Sequence, residues 1–461
     1  MEQIPQIINE ISTAIWGWPM IILLLGTHLF LTIRLRFPQR KIFTAIKISL
    51  QKDEASKGDV SQFAALATAL AATIGTGNII GVATAIALGG PGAVFWCWLT
   101  GVLGIATKYS EGLLAIKYRI INERGEMSGG PMYALERGLK TKWLAVLFCV
   151  FTAVAALGIG NMVQSNSLAK LVHENWGLEP QIVGVVLVVL VALVIIFGVK
   201  GIAKVCATFV PLMAFFYIGG CVWLLCENYG FIPEAISLII KEAFTFDAAG
   251  GGAVGAGMIM AMRYGIARGL FSNESGLGSA PIVAAAAQTR NPVRQALVSA
   301  SGTFWDTVII CALTGIVLVS SILAYPDIDY TKGAVLTSAA FSKIPFGSTM
   351  LTISLFTFAF STILGWCYYG EKAVEYLSSV KYIKLYRLVW IVAVYIGAVA
   401  ELNIVWDISD LMNALMALPN LIALLLLSGV VAKETRHYLW DNHLNDYEPP
   451  FNPSKKDKRW N

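Results

Sequence analysis

Charge is what this chain is short of. Of its 461 residues only 14% are Asp, Glu, Lys or Arg, against about 25% in ordinary soluble domains, and 56% are hydrophobic; a water-soluble globule is excluded. Histidine is scarce too, with four scattered copies. No Ser/His/Asp arrangement, HExxH or phosphate-binding GxxxxGK[ST] loop is present, so the chain reads as no enzyme. The seven cysteines, Cys97, Cys149, Cys206, Cys221, Cys226, Cys311 and Cys367, form no CxxC pair. Each falls within or at the end of an apolar run and reads as a small core residue, implying neither disulfide nor metal. A cleavable leader is absent from the reading as well: the first apolar run lacks a basic n-region and a small-residue cleavage pattern, and is expected to be a retained helix.

Long apolar runs are what the chain has in abundance, and the mean hydropathy is +0.67. A bilayer core about 30 Å thick takes about 20 apolar residues per helical span. Runs separated by charged or Pro/Gly-rich joints number eleven: 12–33, 63–88, 92–117, 143–172, 181–199, 204–226, 253–287, 293–324, 347–378, 386–402 and 407–432. Basic residues stay on the cytoplasmic side of a membrane. With the N-terminus outside, the joints assigned inside hold 28 of the 34 Lys and Arg residues, Lys108 being counted with the joint reaching Lys142. Lys241, Lys332 and Lys343 are the three in joints assigned outside, and Lys170, Arg263 and Arg268 lie within spans. The expected location is the cell membrane, multi-pass, with the C-terminus in the cytoplasm. Topology thus accounts for the net charge of +5, and no nucleic-acid partner is needed.

Two short stretches interrupt this pattern. "TIGTGN" (Thr73 to Asn78) places two glycines and three polar residues in the middle of a membrane-length run. Close helix packing explains the glycines. It does not explain Asn78 beside Thr73 and Thr76 at membrane depth, where polar groups are costly and usually functional. The other reading is a helix unwound for about two residues, whose freed N–H and C=O groups meet a ligand. The half starting after such a break points N–H ends at an anion, and the half ending before it points carbonyls at a cation. A zwitterionic amino acid and a sodium ion are both served.

"NIIGVATA" (Asn78 to Ala85) and "NESGLGSA" (Asn273 to Ala280) share Asn, then Gly, then Thr or Ser, then Ala, and glycines precede each at Gly75 and Gly77 or Gly265 and Gly269. They sit five spans apart in spans of opposite direction. Spans 2 to 6 and 7 to 11 are therefore expected to form an inverted five-plus-five repeat, with one broken helix in each half and span 1 additional. The fold expected is an all-α membrane protein of eleven transmembrane helices. Its parts are an N-terminal extra helix and cytoplasmic loop (1–62), a first repeat (63–226), an extracellular connector (227–252), a second repeat (253–432) and a solvated cytoplasmic tail (433–461).

Further stretches carry a family resemblance. "GGPGAVFWCWLTG" (Gly89 to Gly101), "RGLFSNESGLGSAP" (Arg268 to Pro281), "GNMVQSNS" (Gly160 to Ser167) and "LGWCYYGEK" (Leu364 to Lys372) resemble the alanine or glycine:cation symporter family, and the likeness runs over nearly the whole chain. Cys97 departs from the usual pattern, in which Met is typical. The resemblance implies sodium-driven uptake of small neutral amino acids and a leucine-transporter-like fold with an additional first helix.

On that resemblance "TIGTGN" matches the unwound part of the first core helix. Thr76 and Gly77 would offer backbone N–H groups to the substrate carboxylate, as helix-end reasoning also indicates, and the Asn78 side chain would contact the carboxylate or a nearby sodium. In span 7 the carbonyls around Gly269 and Leu270 would receive the ammonium, Phe271 would wall the pocket, and Ser272 and Asn273 would add polar contacts. Glu274 reads either as a cation partner or, the plainer and preferred alternative, as pairing with Arg268 or Arg263 in a water-filled vestibule. Gln164 faces the substrate by resemblance, or makes a helix–helix hydrogen bond. Ser361 and Thr362, with carbonyls of Ala71, Ile74 and Phe358, would hold sodium by neutral oxygens; back-bonding to their own helix is the plainer alternative. Trp366, one helical turn after Thr362, would limit the pocket to alanine or glycine. Asp306 reads as structural.

The function expected is sodium-coupled symport of alanine or glycine by alternating access, with the lipid bilayer and the amino acid as partners and the chain possible as a monomer. Proton coupling on the same fold, or a channel or non-transporting amino-acid sensor, are the alternatives.

Overall fold

A computed structural model describes residues 10, 11, 14–51, 53, 56–245, 256–401 and 403–447. Apart from one hairpin of two-residue strands, Ile120–Ile121 with Met127–Ser128, the regular structure is helical. That hairpin lies in the joint after the third apolar run and departs from the all-helical expectation.

The first helix, α1 (Trp18–Arg34), is followed after a 67° bend by Pro38–Ser49. Next come α2 (Gln62–Thr73) and α3 (Val82–Gly89), separated by a break and a π-helical turn at Gly77–Gly81. The two parts of this pair diverge by 51°. Helix α4 (Ala93–Lys117) follows, then the run Lys142–Trp176, which carries a π-turn at Gly158–Met162. Pro180–Ile195, Gly198–Glu227 and the amphipathic Ile232–Phe244 follow.

In the second half α5 (Ala256–Asn273) ends at an irregular segment, and a short turn at Pro281–Ala284 resumes it. Then come Pro292–Ala324, Gly333–Phe341, α6 (Gly347–Ser378), Ile383–Val399 and α7 (Asn403–Leu426). Among the described residues five helical stretches are long and apolar enough to span a membrane, or seven if each bent pair is one span; Gly347–Val399 is counted there as a single stretch.

Small residues let these helices approach. A Cβ on Gly101 would meet the Thr307 side chain at 2.7 Å, and one on Gly365 the Ala72 methyl at 2.8 Å. Both broken elements are held centrally by this packing: α2 lies against α6 and Gly198–Glu227, and α5 against α4. Helix α1 packs on α4 and reaches the second break, where Leu24 and His28 lie against Gly276.

Two charged expectations need correction. Lys108, counted with a basic joint, is buried within α4 at 4% exposure. The tail is not wholly solvated: Ser428–Thr435 and Arg436–Trp440 are helical, Tyr438 and Leu439 are buried, and Asn291 Nδ2 donates to the Leu444 and Asp446 carbonyls. Residues 448–461, with most of "EPPFNPSKKDKRW", lie outside the described residues.

Candidate substrate and ion site

The first break is built by Asn78. Helix α2 stops at Thr73, and Ile74 turns to an extended ψ of 99°. The Gly75 N–H, which a continuous helix would direct at the Ala71 carbonyl, donates instead to Asn78 Oδ1 at 2.9 Å. The freed Ala71 carbonyl accepts from the Thr362 hydroxyl at 3.0 Å. The next half begins at Thr76 and Gly77, so their N–H groups belong to the first turn, where no intrahelical acceptor exists.

Asn78 is fully buried and tied on its other side. Its Nδ2 donates to Ser272 Oγ at 2.9 Å and to Asp306 Oδ1 at 2.8 Å, while Ser272 and Thr307 hydroxyls donate to Asp306 Oδ2. Asp306 thus joins the first break to α5.

The second break lies later than the sequence suggested. Helix α5 continues through Gly269 and Leu270 to Asn273, and the Leu270 carbonyl accepts the Glu274 N–H at 3.1 Å, so it is spent within the helix. Gly269 is a packing residue, since a Cβ there would meet Thr100 Oγ1 at 2.1 Å. The irregular segment is Glu274–Ala280. Three of its residues have positive φ, Glu274 at 53°, Gly276 at 93° and Gly278 at 87°, and two of these are glycines, to which that region is open without strain. Pro281 then starts the next turn. Asn273 caps the break through Oδ1, which accepts the Ser275 N–H.

Between the two breaks lies a small cavity lined by Ala72, Thr73, Gly75, Thr76, Gly77, Ile159, Gln164, Phe271, Glu274, Thr362, Trp366 and Asn413. Five of the expected binding residues, Thr76, Gly77, Gln164, Phe271 and Trp366, are brought together there. Asn78, Ser272 and Asn273 stand behind the wall, and Gly269 and Leu270 are absent from it. The Trp366 indole lies across Gly160, where a Cβ would approach within 2.2 Å, and stacks edge-on with Tyr369. Gln164 Nε2 donates to the Ile159 carbonyl of the π-turn, leaving Oε1 facing Thr76 Oγ1 at 3.4 Å.

Glu274, at 4% exposure, is the one ionisable residue in this lining. Its Oε2 accepts from Ser279 Oγ at 2.5 Å. Among the described residues it has no ion pair, contrary to the expected partnership with Arg268 or Arg263; Arg263 lies over the Tyr264 ring. Asn413 on α7, unnoticed in the sequence, borders the cavity with a buried, unpartnered Oδ1. Beside the cavity, Ser361 Oγ is 3.0 Å from the Phe358 carbonyl and 3.5 Å from that of Ala71. With Thr362, this gathers four of the five expected ion ligands, and Ile74 is the last residue before the break.

A mat of backbone bonds closes the end of the molecule beneath the second break. Asp59 and Val60 N–H groups donate to the Ala286 carbonyl, and Gln288 N–H to Val60 O. Arg119 donates to the carbonyls of Lys57, Ala285 and Ala287.

Comparison with known proteins decides the kinship. A model described as the sodium:alanine symporter family matches residues 1–452. The chain belongs to that family. It is therefore a multi-pass membrane transporter of the sodium-coupled amino-acid symporter class and no enzyme. The Sodium/alanine symporter AgcS of Methanococcus maripaludis is 51% identical over 441 residues, covering 94% of this chain and 96% of that one. The probable sodium/glutamine symporter GlnT of Bacillus subtilis is 38% identical, covering 95% and 91%. Among solved structures, MhsT in complex with L-phenylalanine superposes with a TM-score of 0.60 at 16% identity, over 84% of this chain and 95% of that one. The fold is leucine-transporter-like.

Proposed function

We propose that this family member moves a small neutral amino acid, alanine or glycine, into the cell together with sodium by alternating access. The observation that carries the reading is the cavity between the two breaks, with the first-turn N–H groups of Thr76 and Gly77, the Glu274 carboxylate across it and the Ala71–Thr362 oxygen cluster at its side. The substrate carboxylate sits at the Thr76 and Gly77 N–H groups, with Gln164 beside it. Its ammonium faces Glu274 and Asn413 Oδ1, since the Leu270 carbonyl is already engaged. Sodium is held by Ser361 and Thr362 hydroxyls and the carbonyls of Ala71, Ile74 and Phe358. These neutral oxygens suit a hard cation. Asn78, Ser272 and Asn273 act through the geometry of the breaks, and Asp306 holds Asn78 and Ser272 together. Phe271 and Trp366 bound the side chain; the small cavity favours alanine over the phenylalanine named for MhsT or the glutamine named for GlnT.

The sequence supports eleven spans, two inverted halves at 63–226 and 253–432, the 227–252 connector outside, and a cytoplasmic C-terminus with the 433–461 tail. On that layout the Asp59–Gln288 mat lies at the cytoplasmic side and must part for release. Sodium moving inward contributes about 2.3 kcal/mol per charge for each 100 mV of membrane potential. Purified protein in vesicles tests this: radiolabelled alanine or glycine should accumulate when sodium is imposed outside, and absence of accumulation rejects the reading. Glu274 supports a second reading, proton coupling, because it is a carboxylate in the cavity wall. Uptake that persists without sodium and follows a pH gradient would establish it.

A further inference from the structure

A second, narrow cavity lies on the other side of the Glu274–Ala280 segment. It is bordered by Glu111 and Ala115 of α4, Pro131 and Ala134 after the hairpin, Pro281, and Asn420 and Ala423 of α7. These elements place it between the second break and the basic joint of residues 118–142, the joint that the Lys/Arg bias assigns to the cytoplasm.

Glu111 is the ionisable residue in this wall and is 2% exposed. One carboxylate oxygen is fully used: Oε1 accepts from the Gly276 and Gly278 N–H groups at 3.0 and 3.1 Å and from Asn420 Nδ2 at 2.7 Å. The other, Oε2, is buried and has no partner. A buried polar oxygen left open is costly. Lys108, three residues earlier on α4, gives it no hydrogen bond, because its Nζ is also buried without a hydrogen-bond partner.

The two cavities are connected by geometry. Asn413 borders the upper one and Asn420 the lower. Seven residues apart on α7, they lie on nearly the same helical face and about 10 Å apart along it. Each cavity therefore has an asparagine of α7 and a buried carboxylate, Glu274 above and Glu111 below, and between the carboxylates runs the backbone whose glycines hold positive φ. Asn420 also donates to the Gly276 carbonyl, which ties α7 to the segment that runs from Glu274 at the upper cavity to Pro281 at the lower one.

We propose that the cavity at Glu111 is a second, cytoplasmic-side cation subsite that receives a monovalent cation of the cargo, the substrate ammonium or the sodium ion, after it leaves the central cavity. Glu111 Oε2 and the Asn420 side-chain oxygen supply the ligands, and the subsite lowers the barrier to release. This rests on the transport reading above, so wild-type sodium-dependent binding of alanine is measured first; its absence would reject that reading and the subsite with it, whereas the variants below test the subsite alone.

The experiment follows release of pre-bound labelled alanine and, separately, of pre-bound labelled sodium from purified protein, for wild type, Glu111→Gln and Ala423→Leu. Glu111→Gln keeps an acceptor for the Gly276 and Gly278 N–H groups and removes the charge. Ala423→Leu fills the cavity and leaves Glu111 in place. Melting temperature with and without alanine reports folding and binding in each. Release at least tenfold slower in both variants supports the subsite; delayed alanine with unchanged sodium assigns it to the ammonium, and delayed sodium assigns it to the ion. Release at the wild-type rate from Ala423→Leu overturns the proposal, leaving a hydrated cavity only. Should Glu111→Gln not fold, Ala423→Leu alone decides.

Discussion

Asn78 replaces a turn of helix for Gly75: its side-chain oxygen takes the Gly75 N–H at 2.9 Å, and the Ala71 carbonyl thereby released is taken by Thr362 at 3.0 Å. One amide side chain both stabilises the break and frees an oxygen at the proposed ion site. The proposed substrate and ion sites are linked through eight consecutive residues, Ala71 to Asn78, and through Thr362, which borders the cavity as well as touching Ala71.

Asn78→Ala should accordingly weaken sodium and alanine binding together. It leaves Gly75 N–H and Asp306 Oδ1 without partners, and an unsatisfied buried group costs about 1 to 3 kcal/mol. Calorimetric titration is expected to show alanine affinity lower by tenfold or more at fixed sodium. Alanine affinity within twofold of wild type would show that the break is held by packing.

Thr362→Val removes the hydroxyl at nearly constant shape. Because that hydroxyl meets Ala71 O directly, the sodium concentration for half-maximal uptake should rise about tenfold, the equivalent of about 1.4 kcal/mol. Maximal uptake at saturating sodium should change much less. A raised alanine requirement with unchanged sodium dependence would move Thr362 to the substrate alone.

Much of this was readable in advance, and the misreadings have physical causes. "TIGTGN" announced its break because polar residues at membrane depth have few other uses, and the helix is interrupted within that stretch. Gly269 drew attention for being a glycine near the middle of its span, yet it serves contact with Thr100. The better signal lay a few residues on, in Gly276, Gly278 and Pro281, a pair of turn-permitting residues followed by a helix-starting one. Asn413 and Glu111 could not be singled out, because nothing local distinguishes a polar residue facing a cavity from one bonded to a neighbouring helix. Lys108 was placed with a loop by charge alone, whereas α4 buries it beside the second break.

Trp366→Ala should admit larger side chains. The indole fills the space against Gly160 and Tyr369, so truncation opens the cavity in a direction where Gly160 offers no bulk. Competition by unlabelled amino acids of graded size against bound alanine should extend toward leucine, while affinity for alanine falls. Gly160→Ala tests the same wall from the opposite side: its methyl has no room beside Trp366, so it should impair alanine binding and extend nothing. Unchanged selectivity in Trp366→Ala would remove Trp366 from the pocket.

Arg119→Ala should favour the inward-open state. Its guanidinium donates to three carbonyls, of Lys57, Ala285 and Ala287, and so fastens the chain before α2 to the chain after the second break. Hydrogen bonds to a charged group contribute about 1.5 to 3 kcal/mol each, and parting of this seam on opening loses them together with the Asp59, Val60 and Gln288 backbone bonds. Loss of Arg119 removes the charged share and leaves the backbone share, so the closed state should persist but open more often. A cysteine placed at Ala423, beside the lower cavity, in a background where the exposed Cys226 is Ser, reports opening through its labelling rate with a polar thiol reagent added from the cytoplasmic side. Labelling should accelerate at least tenfold in Arg119→Ala, since loss of even one such bond is equivalent to about a tenfold shift, and sodium should slow it again if ion binding favours the closed seam. Equal labelling rates with and without Arg119 would show that the backbone pairing alone keeps the cytoplasmic side shut.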